Sequence, residues 1–204
     1  MTPPVIGVTG SIGSGKTTFS SAFAGRNGLH LNADNIARDL IEAGNPAHEA
    51  VIEQFGSEIV DERGQIKRNK LAEKVFSDSD KLKRLEEIVH PLVKEKIEEI
   101  IDRGAHDFYV VDAPLLFEAG FDDLCQTVVV ITAPAEQVKR RLAKRGVGAD
   151  EIKRRRRHQM PREEKIARGE LIIDNSGSIE ELKDKASRLR EEIINRSAGE
   201  KNNS

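Results

Sequence analysis

Near the amino end, Gly10-Ser11-Ile12-Gly13-Ser14-Gly15-Lys16-Thr17 has the residue types and the G-x-x-x-x-G-K-[ST] spacing of a phosphate cradle. Glycines let the backbone curl so that successive N–H groups face a polyphosphate, and a helix starting at the loop's end adds its positive terminus. Lys16 is suited to neutralising the outer phosphates and the Thr17 hydroxyl to binding Mg²⁺. Gly13, Ser14, Gly15 and Thr18 supply the remaining nucleotide contacts. The setting agrees, because Val5 to Thr9 is an apolar, β-branched run and Thr18 to Ala24 continues as a helix. A plain glycine-rich turn with an exposed lysine would need neither the full pattern nor this context.

Two carboxylates stand where such a loop would use them. Asp34, in Asn32-Ala33-Asp34-Asn35-Ile36-Ala37-Arg38, follows the second short strand-like run. The carboxyl ends of strands in an open parallel sheet form the ligand crevice, so Asp34 can orient an acceptor hydroxyl and take its proton. It can equally be the cap of a helix beginning at Asn35. Asp112 closes the apolar run Tyr109-Val110-Val111-Asp112, where an acidic group serves a metal directly or through water. The loop itself does not choose among motors, GTPases and kinases. No Asn-Lys-x-Asp guanine-reading sequence occurs, since Asn69-Lys70 continues as Leu71-Ala72, and no long ABC-type signature loop is present. A kinase remains.

The positioning elements read as α/β. Short runs at Pro4 to Thr9, Leu29 to Asn32, Phe108 to Asp112, Thr127 to Thr132 and Leu171 to Asp174 predict strands buried on both faces of a parallel sheet, with helices between them. Val93, Ile97, Ile100 and Ile101 predict a helix ending near Gly104. Ser178 and Glu181 have capping-box spacing ahead of a stripe of Ile179, Leu182, Ala186, Leu189 and Ile193. The expected domain has its core at 1–34, 104–138 and 170–196, a wholly helical substrate-binding insertion at 35–103, a basic lid at 139–169 that bends at Gly146 and Gly148, and a loose tail at 197–204.

Charge narrows the partners. The net charge of −2 conceals a segment, residues 139–168, of +9, which leaves −11 for the rest. A local anion site fits this better than a polyanion-binding surface. With aromatics at 4% there is little to stack bases on, so no nucleic-acid partner is expected. No apolar run approaches the roughly 20 residues that span a bilayer, so no membrane partner is expected. The single Cys125 rules out an internal disulfide and fits a cytoplasmic, reducing compartment. A monomer is the default expectation.

Taken together, Gly10 to Thr18, Ala33-Asp34-x-Ile36-Ala37-Arg38, His90-Pro91-Leu92-Val93 and Pro114-Leu115-Leu116-Phe117-Glu118 resemble the dephospho-CoA kinase family. Arg141-Leu142-x-x-Arg145, Gln159-Met160-Pro161, Lys165-x-Ala167-Arg168 and Ile173-Asp174-Asn175-x-Gly177 extend the resemblance to about residue 190. It implies a P-loop NTPase fold and transfer of the γ-phosphate of ATP, with Mg²⁺, to the ribose 3′-hydroxyl of dephospho-CoA. The products would be CoA and ADP, the last step of coenzyme A biosynthesis. The resemblance makes Asp34 the proton acceptor and puts Arg38 and His90 on the acceptor side. Arg38 falls one helical turn after Asp34, so both can face one ligand or form a surface pair, while His90 before Pro91 can instead mark a helix boundary. Arg141 and Arg145, four apart on a predicted helix, can converge on phosphate as the lid closes. Arg141 joins Asp34 and Lys16 as a catalytic group, and Arg145 joins the nucleotide contacts. Lys153 to Arg157 point all round a helix and are mostly solvated. The family usually has Gly at Ser11, Asp at Asn32 and Ala-Asp at Gly169-Glu170, but Lys16, Thr17 and Asp34 are intact. The alternatives are another P-loop small-molecule or nucleoside monophosphate kinase, and a nucleotide-regulated RNA- or DNA-binding module using the arginine-rich stretch.

Overall fold

A computed structural model of the protein describes residues 3–76, 78–148, 152 and 157–201. Strands β1 (Val5–Thr9), β2 (Gly28–Asn32), β3 (Phe108–Asp112), β4 (Thr127–Thr132) and β5 (Leu171–Asp174) form one sheet in the order β2-β3-β1-β4-β5. The ladder is parallel, with Val8 beside Asp112 on one side and Val129 on the other. Helices α1 (Lys16–Ala24), α2 (Ala33–Leu40), α3 (His48–Phe55), α4 (Arg68–Phe76), α5 (Ser79–Asp102), α6 (Ala135–Lys144), α7 (Arg162–Arg168) and α8 (Ile179–Lys201) complete the described elements. The chain divides into two compact units, Met1–Leu31 with Gly104–Ser204, and Asn32–Arg103.

In the first unit the three central strands are buried almost throughout, as their β-branched runs demand. One face of the sheet (Ile6, Val8, Phe108, Val110, Val129, Ile131) packs on Phe19 and Phe23 of α1 and Leu182 and Ala186 of α8. The other face lies under the β3–β4 connection: a Cβ on Gly7 would stand 2.9 Å from Cys125 Sγ and 3.0 Å from Leu116 Cδ2. Edge strand β5 departs from burial on both faces, with Ile172 left 43% exposed. The stripe on α8 begins at Leu182, because Ile179 in the first turn is 58% exposed and has not yet reached the core. The helix also continues to Lys201, past the expected end near Ser197; no proline interrupts 197–201, and a lone Gly199 weakens a helix without ending it.

The second unit is helical apart from a short 3-10 turn at Ser57–Ile59 and an isolated antiparallel bridge between Val60 and Ile66. That small hairpin, invisible to helical periodicity, turns on Asp61, whose Oδ1 accepts from the N–H groups of Arg63 and Gln65 at 2.9 Å each. The helix expected around Leu92 to Ile101 is the second half of α5. It starts at Ser79, where the Asp78 side chain accepts from the Asp80 and Lys81 N–H groups. Pro91 lies inside this helix, so His90 is an interior helical residue and marks no boundary. The ring removes one ladder bond, which packing of Val89, Val93, Ile97 and Ile101 offsets.

Candidate active site

Helix α1 begins directly on the glycine loop and is left uncapped. Its N-cap is Gly15 (φ 104°), without a side-chain cap, and no acidic residue occupies the first turn. Helices α2, α5 and α8 have leading N–H groups bonded by Asn32, Asp78 and Ser178, whereas α3, α6 and α7 lack a side-chain cap as α1 does but each have an acidic residue in the first turn. An uncapped helix end facing a cradle of N–H groups is an anion site. Lys16 is buried and its Nζ reaches back to the Ser11 carbonyl at 3.4 Å, holding the loop closed. Thr17 is exposed and Thr18 half-buried in the same turn.

Asn175, just past β5, braces this loop. Its Nδ2 donates to the Ser14 carbonyl at 2.6 Å, and a Cβ on Gly15 would lie 2.3 Å from that nitrogen, so the close approach requires glycine. Arg141 Nη2 in turn donates to the Asn175 backbone oxygen at 3.1 Å and to Gln137 Oε1 at 3.0 Å. Arg141 Nη1 and the Ser14 hydroxyl are buried and have no hydrogen-bond partner among the described residues. Buried polar atoms are otherwise rarely left so, and a bound anion beside the loop would satisfy both.

Arg145 ends the helix that carries Arg141. Helix α6 stops at Lys144 in a Schellman turn: Gly146 (φ 70°) donates to Ala143 O at 3.0 Å, and Val147 donates to Leu142 O at 3.1 Å. Arg145 is therefore the exposed C-cap, four residues beyond Arg141. Gly148 is described beyond this turn, whereas most of the run Lys153 to Arg157 lies outside the described residues.

Asp112 is buried at the end of β3, beside Val8 of β1 and so close to the start of the glycine loop. His30 Nε2 on β2 donates to Asp112 Oδ2 at 3.2 Å, a contact that no strand pattern announces. In the second unit, Asn32 rather than Asp34 caps α2, its Oδ1 accepting from Asn35 N at 2.9 Å. Asp34 and Arg38 are both exposed on α2, which packs on the α5 that carries a half-buried His90. Arg38 Nη1 sits 3.5 Å from Asn35 Oδ1.

Three relationships escaped the sequence: the Asn175 brace, the His30–Asp112 bond, and a fully buried Lys165. The Lys165 ammonium donates to the Pro114 carbonyl at 2.5 Å and pairs with Glu118 at 2.9 Å. Burial lowers its pKa, with Glu118 acting against the shift. Asn175 and Lys165 did stand in recognisable motifs, but those motifs carried no geometry.

A parallel sheet that delivers an uncapped, glycine-cradled helix N-terminus, with a buried lysine and a half-buried arginine in the same unit, defines a P-loop nucleotide-binding fold. Structures related at fold level agree: an Acinetobacter baumannii shikimate kinase shares the fold with a TM-score of 0.53 at 17% identity, covering 95% of this chain and 94% of that one. Residues 4–181 match the family described as dephospho-CoA kinase, and the chain belongs to that family. It is 40% identical to the dephospho-CoA kinase of Aquifex aeolicus over 92% of this chain and 96% of the relative. It is 44% identical to that of Carboxydothermus hydrogenoformans, over 89% and 90%. The dephospho-CoA kinase structure from Campylobacter jejuni superposes with a TM-score of 0.68 at 29% identity, covering 95% of this chain and 98% of that one.

Proposed function

We propose that the protein phosphorylates the ribose 3′-hydroxyl of dephospho-CoA with ATP, yielding CoA and ADP, and that its two units divide the work between donor and acceptor. The observation that carries the donor half is the uncapped N-terminus of α1 next to the unpartnered Arg141 Nη1 and Ser14 hydroxyl. The loop N–H groups of Gly13, Ser14 and Gly15 and the Lys16 ammonium receive the polyphosphate, with Thr18 closing the turn. Arg141, fixed by Asn175, supplies a second cation for charge that develops on the transferring group. Arg145 serves the nucleotide from a more exposed position.

Mg²⁺ fits the oxygen donors present. The Thr17 hydroxyl and the Asp112 carboxylate are hard ligands, and no cluster of three His, Cys, Asp or Glu residues occurs among the described residues to favour a softer, fully protein-bound metal. When bound, the ion supplies charge neutralisation on the β- and γ-phosphate oxygens. His30 holds the Asp112 carboxylate in one orientation.

On the acceptor side, Asp34 takes the proton of the attacking hydroxyl, while Asn32 caps the helix. Arg38 and His90 bind the acceptor. A helical acceptor unit at 35–103, a basic lid at 139–169 and a cytoplasmic setting complete this assignment. No helix among the described residues is long and apolar enough to cross a membrane.

The test is Mg²⁺-dependent ADP release from ATP with dephospho-CoA, AMP, shikimate or no acceptor. ADP is expected with dephospho-CoA alone. Release with another acceptor would keep the donor site and overturn the substrate.

A further inference from the structure

Beside the glycine loop lies a small cavity whose wall includes Gly10, Ser11, Ser14, Arg162 and Lys165. Arg162 opens α7 and Lys165 follows three residues later, so both project from one side of the helix towards this wall. The two cations differ sharply. Lys165 is 1% exposed and fully occupied by Glu118 and the Pro114 carbonyl, whereas Arg162 is exposed and its guanidinium has no hydrogen-bond or ion-pair partner among the described residues. Glu118 also accepts from Met160 N at 2.6 Å, immediately ahead of α7. Arg168 fastens the other end of the helix by pairing with Asp122 at 2.8 Å and lying 4.3 Å over the Phe117 ring. A short helix is thus clamped at both ends to the connection that follows β3, and its one uncommitted cation stands against the phosphate-binding loop.

We propose that Arg162 is a further polyphosphate-binding residue and that the buried Lys165–Glu118 pair is the positioning device that holds it there. Lys165 cannot reach a ligand while its ammonium is enclosed; burying a charge is costly unless it is paired, and this one is paired only when α7 sits in one place. Fixing α7 by a buried ion pair delivers Arg162 to the loop without ordering a long flexible segment each time nucleotide binds. The inference rests on the ATP-site reading above.

Binding of a non-hydrolysable ATP analogue, steady-state kinetics for both substrates, and thermal unfolding separate the possibilities. Arg162→Ala is expected to weaken analogue binding by about tenfold or more, the scale of a lost charge-assisted contact, with KM for dephospho-CoA and Tm unchanged. Arg162→Lys should recover part of the loss. Lys165→Met should reproduce the loss, and Arg162→Ala/Lys165→Met should bind no more weakly than Lys165→Met alone, because the lysine acts through the arginine. Should Lys165→Met fail to fold, Glu118→Gln with the same readouts takes its place. Wild-type affinity in Arg162→Ala, multiplicative losses in the double variant, or a Lys165→Met effect confined to Tm would each overturn the proposal. A Lys16→Ala control keeps the two readings apart: if it abolishes binding while Arg162→Ala does nothing, only this inference falls, and if the wild-type protein binds no analogue, the ATP site itself falls.

Discussion

Asn32 shows how much one side chain decides. Two residues ahead of Asp34 in the chain, its side-chain oxygen accepts the capping bond from Asn35 N–H. The alternative in which Asp34 merely caps a helix is thereby displaced. Asp34→Ala is expected to leave analogue binding and Tm near wild type and to lower kcat by about a hundred- to ten-thousand-fold, the usual worth of a general base; retained turnover would remove Asp34 from the mechanism. Cys125 gives a pH test. Burial first, then Asp122, Glu170 and Asp123, raise its pKa from 9.0 to about 12. Between those values the unfolded chain has released the thiol proton and the folded one has not, so this group's contribution to stability falls as pH rises from 9 towards 12. Denaturant midpoints at pH 8, 9.5 and 10.5 should decline less steeply for Cys125→Ala than for wild type. Lys16, Thr17 and Asp112 stand out in the sequence because a motif or a strand end marks their places. The contacts of Asn175, His30 and Lys165 do not, since each is made with a partner 161, 82 or 47 positions away in the chain, respectively.

At the level of elements, β1 must stay thin where it feeds the loop. Gly7 faces Cys125, Leu116 and Val128 at distances that leave no room for a methyl group. Gly7→Ala is expected to cost about 1–3 kcal/mol of unfolding free energy, and adding Cys125→Ala should return part of it by removing the nearest atom. Chemical denaturation of the two variants checks this. The strands were read nearly to the residue because runs such as Phe108-Tyr109-Val110-Val111 are buried on both faces and match no helical period. Helix limits were read less well. Pro91 looks like a stop signal, yet α5 runs through it because tertiary packing of Leu82, Val89, Val93 and Ile97 outweighs one missing hydrogen bond. Helix α6 went the other way, ending at Lys144 because Gly146 and Val147 form a cap whose hydrophobic partner is Leu142.

For the whole molecule, the chain divides into two compact units, with Lys16, Asp112 and Arg141 in one and Asp34, Arg38 and His90 in the other. The concentration of positive charge in 139–168 against an acidic remainder is what a lid over polyphosphate needs and what a broad nucleic-acid surface lacks. The length of chain between the second and third strands singles out the segment of the second unit in the sequence, whereas the clamp on α7 gives no such signal, because it joins segments that only folding brings together. The central claim is the identity of the phosphorylated product. Mass spectrometry and phosphorus NMR of the product formed from ATP and dephospho-CoA should show one added phosphate, on the ribose 3′-oxygen, in equal amount to ADP. ADP formed without that product, or a phosphate placed elsewhere, would contradict it.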